Sequence, residues 1–254
     1  MIFKRAVAKL RAQDWAAIAI ELAIVVVGVF LGIWVANWNL DRAERRDIDN
    51  LLNQMRPELA RSAQNSDAQR AYFAVTRKYA EVALGGWAGD PHVSDRDFIV
   101  SAYQASQIIG STRDGQSYSM MLGGDQVRKI EDPFLRTSLM RLMSFNYEPV
   151  SLTSLQTRYR DHVREMIPDP IQEIIRARCG DNRTPQGIIS LPAKCDADLP
   201  PSEVAKGAAL LRAHPELAEE LQLHLSRVAT FLFNLSNMDG WVRDSAKGID
   251  RRKR

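Results

Sequence analysis

Between Trp15 and Trp38 the chain reads WAAIAIELAIVVVGVFLGIWVANW, a run in which Glu21 is the only ionisable residue. Residues 22–36 carry no charged, amide or hydroxyl side chain. A helix that is apolar on every face must be covered on every face, by a large core or by lipid. Its 23 steps, at about 1.5 Å each, give roughly 35 Å, enough to cross a hydrocarbon core of about 30 Å with its interfaces. Trp15 at one end, and Trp34 and Trp38 at the other, suit the two interfacial belts, where an indole is apolar and wet together. The run predicts one transmembrane anchor over 15–38.

A cleaved secretory signal is the competing reading. Residues 1–14 are basic, as an n-region is, but the apolar run exceeds the usual h-region of about 7–15 residues. Cutting after Ala36 would put Trp34 where a peptidase needs a small residue, and no cysteine follows the run for a lipoprotein cut. The anchor therefore reads as uncleaved. Lys4, Arg5, Lys9, Arg11 and the terminal amine precede it, against Arg42, Arg45 and Arg46 close behind. That excess favours a cytoplasmic N-terminus. Cys179 and Cys195 bracket CGDNRTPQGIISLPAKC, a loop-like stretch. Either they are two unrelated buried thiols, or they form a disulfide, which persists in an oxidising space such as a periplasm. The bridged reading agrees with an outer position for everything beyond the anchor.

The segment Glu21-Leu-Ala-Ile-Val-Val-Val-Gly-Val-Phe-Leu-Gly-Ile-Trp-Val-Ala-Asn-Trp-Asn39 resembles the signature of a family of uncharacterised bacterial single-pass membrane proteins: a Glu, a run of Ile, Val and Gly, then Asn-Trp-Asn and a charged stalk, here Asp41-Arg-Ala-Glu-Arg-Arg46. The stretch Ser117–Ile130 with Asp132–Leu139 is similar to that family's short Tyr-containing helix, small-residue turn and amphipathic helix, with Gly123-Gly124 in place of Ser-Gly or Ser-Ser. The resemblance implies an inner-membrane location and a helical outer domain. It supplies no activity and no catalytic residues.

Beyond Asn39 the apolar spacing is helical. Ile48, Leu52, Met55 and Leu59 fall on one face, as do Tyr72, Val75, Tyr79 and Val82. Pro57 is expected to kink or break the first of these helices, and Gly85-Gly86 to end the second. Ser94 with Asp97 reads as a capping box for a helix toward Ile109. Asp132-Pro133 opens a helix through Leu135, Leu139 and Leu142. Leu152, Leu155, Tyr159, Val163 and Met166 mark another, stopped by Pro168. A long last helix starts at Pro215 and carries Leu217, Leu221, His224, Val228, Phe231 and Leu235. The expected fold is all-α: a single N-terminal transmembrane helix followed by an extramembrane antiparallel bundle of five to seven helices. The expected divisions are a cytoplasmic N-terminus (1–14), the anchor (15–38), a stalk helix (39–62), a helical outer domain (63–250) and a basic tail (251–254).

The composition narrows function more by exclusion than by assignment. With 34 Lys and Arg against 31 Asp and Glu, the charge is too even for a dedicated nucleic-acid binder. Glu220 and His224 share a helix face, but no second Glu-His set completes a di-metal site. No nucleophile elbow or phosphate-cradling glycine loop is present. Glu21, Gly28 and Gly32 fall on one face of the anchor, where Gly28-x-x-x-Gly32 permits close approach of a second membrane helix. An acid at Glu21 costs about 2–3 kcal/mol in the bilayer unless it finds a partner or reaches the interface. The resulting expectation is a periplasmic, membrane-anchored scaffold or interaction protein, not an enzyme, without cofactor. Its partners would be the bilayer and a second copy or another membrane protein met through the anchor. The alternatives are an accessory subunit of an ion-coupled complex using Glu21 and, more weakly, a metal-dependent hydrolase.

Overall fold

The computed structural model describes residues 15–110 and 116–252, the side chains of residues 15–18, 116, 117 and 119 excepted. The expected basic N-terminus over 1–14 lies outside them, as do the last two residues of the basic tail. The chain is all-α with one long apolar N-terminal helix. Its elements are α1 (Trp15–Trp87), α2 (Asp95–Ala105), α3 (Gln116–Met121), α4 (Gly124–Arg128), α5 (Pro133–Ser144), two 3₁₀ turns (Glu148–Val150 and Thr153–Leu155), α6 (Arg158–Met166), α7 (Asp169–Cys179), α8 (Pro201–Ala213) and α9 (Glu216–Arg251). A two-residue antiparallel pair, β1 (Asn182–Arg183) with β2 (Ile189–Ser190), lies between α7 and α8. Two compact units divide the chain, Met1–Leu51 and Leu52–Arg254.

Pro57 does not end α1, which runs through it. An interior proline removes one donor and crowds the carbonyl four residues back, at a cost of about 3 kcal/mol. Here Pro57 and Asn53, whose carbonyl loses its partner, are both exposed, so water can serve that carbonyl. Leu52, Met55 and Leu59 on the opposite side are buried, and this packing outweighs the local penalty. The helix is thus not broken at Pro57.

Gly85-Gly86 does not terminate the helix either. The cap is Gly89, whose φ of +75° is open to glycine at no steric cost. Asp90 N–H donates to Gly85 O at 2.9 Å and Gly89 N–H to Gly86 O at 3.4 Å, the pair of bonds that closes a Schellman end. Gly86 serves packing instead, since a Cβ there would lie 2.1 Å from Phe98 Cδ2. Its bareness lets α2 approach α1.

Ser94 caps α2 by accepting from Asp97 N–H at 3.1 Å. The helix stops at Ala105, four residues short of Ile109, because the Ser106 hydroxyl and N–H both turn back to Tyr103 O. Asp132 accepts from Phe134 N–H and Leu135 N–H to start α5. The stripe from Leu152 to Met166 is not one helix. Leu152 and Leu155 belong to a 3₁₀ turn and its approach, and α6 begins only at Arg158.

In the Leu52–Arg254 unit, α9 packs on α5 and α6, and α2 packs on α8. Phe73 meets Phe231 edge-on at 5.3 Å, Trp87 meets Phe98 at 5.0 Å, and Tyr159 lies beside both Trp87 and His224. These rings form the centre of the core, and the Tyr159 hydroxyl is satisfied by donating to Ala102 O at 2.7 Å.

Candidate functional site

The apolar run of α1 is the first candidate. Among the described residues α1 is the one helix long and apolar enough to cross a membrane, and its most apolar window is wholly uncovered. Leu22, Ile24, Phe30 and Trp34 each keep more than 60% of their surface open. Steps of seven and four place Glu21, Gly28 and Gly32 on a common face. A Cβ added at Gly28 or Gly32 would meet nothing within 4 Å, so no packing inside the chain requires either glycine. Trp34 and Trp38 are exposed near the end of the run, and the Arg42 guanidinium sits 5.5 Å from the Trp38 ring centre. Trp15 opens the helix, and its side chain lies outside the described residues.

Cys179 and Cys195 are joined in a disulfide, their Cα atoms 5.3 Å apart. Cys179 is the last residue of α7, and Cys195 follows the small hairpin. Side chains from other helices hold both ends of this loop. Gln104 Nε2 donates to Cys179 O at 2.7 Å, and Arg96 Nη2 donates to Cys195 O at 2.6 Å and Ala197 O at 2.9 Å. The Tyr72 hydroxyl donates to Asp181 at 2.8 Å, and its burial beside that carboxylate pushes the phenol well above its ordinary pKa. Nothing in the local sequence marks Arg96, Gln104 or Tyr72 as anchors of a distant loop.

Glu220 and His224 share a face of α9 but turn to different partners. Glu220 meets His162 Nδ1 at 2.9 Å and Arg158 at 3.4 Å. His224 is buried, its Nδ1 in a 2.9 Å hydrogen bond with Thr157 Oγ1. Thr157 stands at the start of α6 without capping it, its hydroxyl being committed to His224. Burial, with the positive charges of Arg160 and Arg227, lowers the His224 pKa to about 4. The ring is therefore neutral at physiological pH. Among the described residues no three His, Cys, Asp or Glu side chains come together as metal ligands would. His92 is exposed, and His214 pairs with Glu216 at 2.7 Å. Of the Ser117-Tyr118-Ser119 stretch, Tyr118 is a core residue.

The spacing of apolar residues also missed an ion-pair network between α1 and α9. Asp239 is buried and accepts from Arg70 at 2.7 Å and Arg243 at 2.9 Å, and both arginines also reach Asp67. Compared with known protein families, curated proteins and solved structures, the chain matches none.

Proposed function

We propose that this chain is a membrane-anchored scaffold or interaction protein of the bacterial inner membrane. Its N-terminus is cytoplasmic and its outer part is a periplasmic antiparallel helical bundle. The observation that carries the reading is the fully uncovered apolar run of α1, a surface that water does not tolerate at this length. The Cys179–Cys195 bond supports an oxidising compartment for the outer part. The likeness of the Glu21–Asn39 segment to the single-pass family supports the same location.

The anchor contacts a second copy, or another membrane protein, through the Glu21, Gly28 and Gly32 face. Two glycines that no internal packing requires support this, since they let a neighbouring backbone come close. Among the described residues, the exposed helix faces, the cross-linked loop and the ion-pair network between α1 and α9 support a binding role. The test is disulfide-free chemical cross-linking in membranes: the native chain forms a dimer or a fixed hetero-adduct, and Gly28→Leu with Gly32→Leu loses it. Unchanged cross-linking in that double variant would reject the contact face. Glu21→Gln separates the runner-up: it leaves a scaffold's partners in place, whereas an ion-coupled subunit would keep its partners and lose transport.

A further inference from the structure

A cleft of about 230 Å³ opens within the Leu52–Arg254 unit, between α1 and the small hairpin. That is below the ~300–1,000 Å³ of pockets for drug-sized ligands, so its occupant is of metabolite size. Its walls are built locally. Arg61, Asn65 and Gln69 recur at steps of four on α1 and present one polar stripe. Opposite them stand Arg183 and Gln186. The hairpin turns through Gly187 at φ +84°, and Gly187 N–H closes it by donating to Thr184 O at 2.9 Å. Ile109 adds an apolar wall beside Gly110. Gly110 is pressed so near Leu152 that a Cβ would lie 2.3 Å from its backbone nitrogen, which fixes that side of the cleft.

Three features specify the occupant. Arg183 is exposed and has no carboxylate partner among the described residues, while Arg61 shares its charge with Glu58 at 3.1 Å. The cleft thus offers two guanidinium forks with a net charge near one, matched to a monoanion and to the planar geometry of a carboxylate. Asn65, Gln69 and Gln186 offer amides that both donate and accept. Gln69 is only 9% exposed, and its Oε1 has no donor among the described residues. The terminal torsion of a glutamine is soft, so either end of that amide turns to the cleft when a partner arrives. We propose that this cleft binds a small carboxylate that also carries N–H or O–H donors, the carboxylate on Arg183 and Arg61 and a donor on Gln69. Such a group is found on a sugar acid and at the carboxyl end of a polypeptide.

Calorimetric titration of the full chain in mild detergent distinguishes the sources. D-Glucuronate stands for the sugar acid, and N-acetylglycine for the polypeptide terminus. Glucose and N-acetylglycinamide are their uncharged counterparts. At least one acid saturates at one equivalent and binds at least tenfold more tightly than its counterpart. Arg183→Gln, an exposed change that spares the core, weakens it at least tenfold with an unaltered melting temperature. Binding of one acid alone names the source. If neither acid saturates, or if Arg183→Gln binds as tightly as the native chain, the assignment is overturned.

Discussion

Arg70 and Asp239 are 169 positions apart in the chain and 2.7 Å apart in the fold, and the Asp239 side chain is only 7% exposed. The carboxylate accepts from two guanidinium groups at once, Arg70 from α1 and Arg243 from α9. Asp239→Asn keeps the shape and removes the charge, leaving both arginines to share the one exposed carboxylate of Asp67. Breaking a buried pair by removing one partner costs about 3–5 kcal/mol. Both arginines are a third or more exposed, so screening reduces the expected loss to about 1–3 kcal/mol. Urea unfolding reads it as a lower midpoint at unchanged slope. Equal midpoints would mean that the network adds nothing.

His224 makes stability depend on pH. Its folded pKa, about 4, lies below the ordinary value of 6.5, because burial disfavours the charged ring. Between these values the unfolded chain binds the proton and the folded chain resists it. The stabilisation is therefore complete above about pH 6.5 and is lost as pH falls toward 4. At 1.36 kcal/mol per pKa unit the whole effect is about 3 kcal/mol. His224→Gln keeps a partner for Thr157 and flattens the profile in that window. A native profile without a slope there would contradict the buried neutral ring.

The Cys179–Cys195 bond closes a loop with a sequence separation of 16. A closure of that length restricts the unfolded chain by about 3 kcal/mol. Unfolding in urea with and without reductant measures the loss, and the helical signal of the folded state stays constant. Gln104 and Arg96 continue to hold the two ends by their carbonyls after reduction. A reduced protein as stable as the oxidised one would show that these hydrogen bonds alone define the loop.

Two glycines on different helices behave oppositely when changed to alanine. At Gly86 the new methyl runs into Phe98, which is fully buried against Trp87. Overpacking of this kind costs about 1–3 kcal/mol. At Gly240, inside α9, a Cβ meets nothing within 4 Å, and alanine is the better helix former by about 1 kcal/mol. Melting temperatures of the two variants should move in opposite directions. A Gly86→Ala protein as stable as the native one would argue against the close approach of α1 and α2.

Apolar period and helix starts were legible in the chain, and contacts at a distance were not. The stripe from Leu217 to Leu235 is buried along its length, His224 included. Asp132-Pro133 and Ser94 open helices where their chemistry says they should. The second stripe was displaced: Phe73, Thr76, Ala80 and Ala83 are buried beside Tyr72 and Tyr79, while Val82 is exposed. Small residues there are chosen by what they face, which local hydrophobicity does not report. Pro57 and Gly85-Gly86 misled for a related reason. Their local preference for ending a helix is worth a few kcal/mol at most, and the packing of Leu52, Met55 and Leu59 on one side and Phe98 on the other exceeds it. Arg96, Gln104 and Tyr72 carried no signal as loop anchors, since each acts on groups brought near only by the folded chain.

On the proposed reading, the uncovered apolar run of α1 stays in lipid as a permanent anchor. Extraction of membranes with alkaline carbonate tests it most directly, because it strips proteins held by charge or by partners and leaves those that span the bilayer. The full-length protein is expected to remain in the pellet. Recovery of the protein in the supernatant would contradict the anchor.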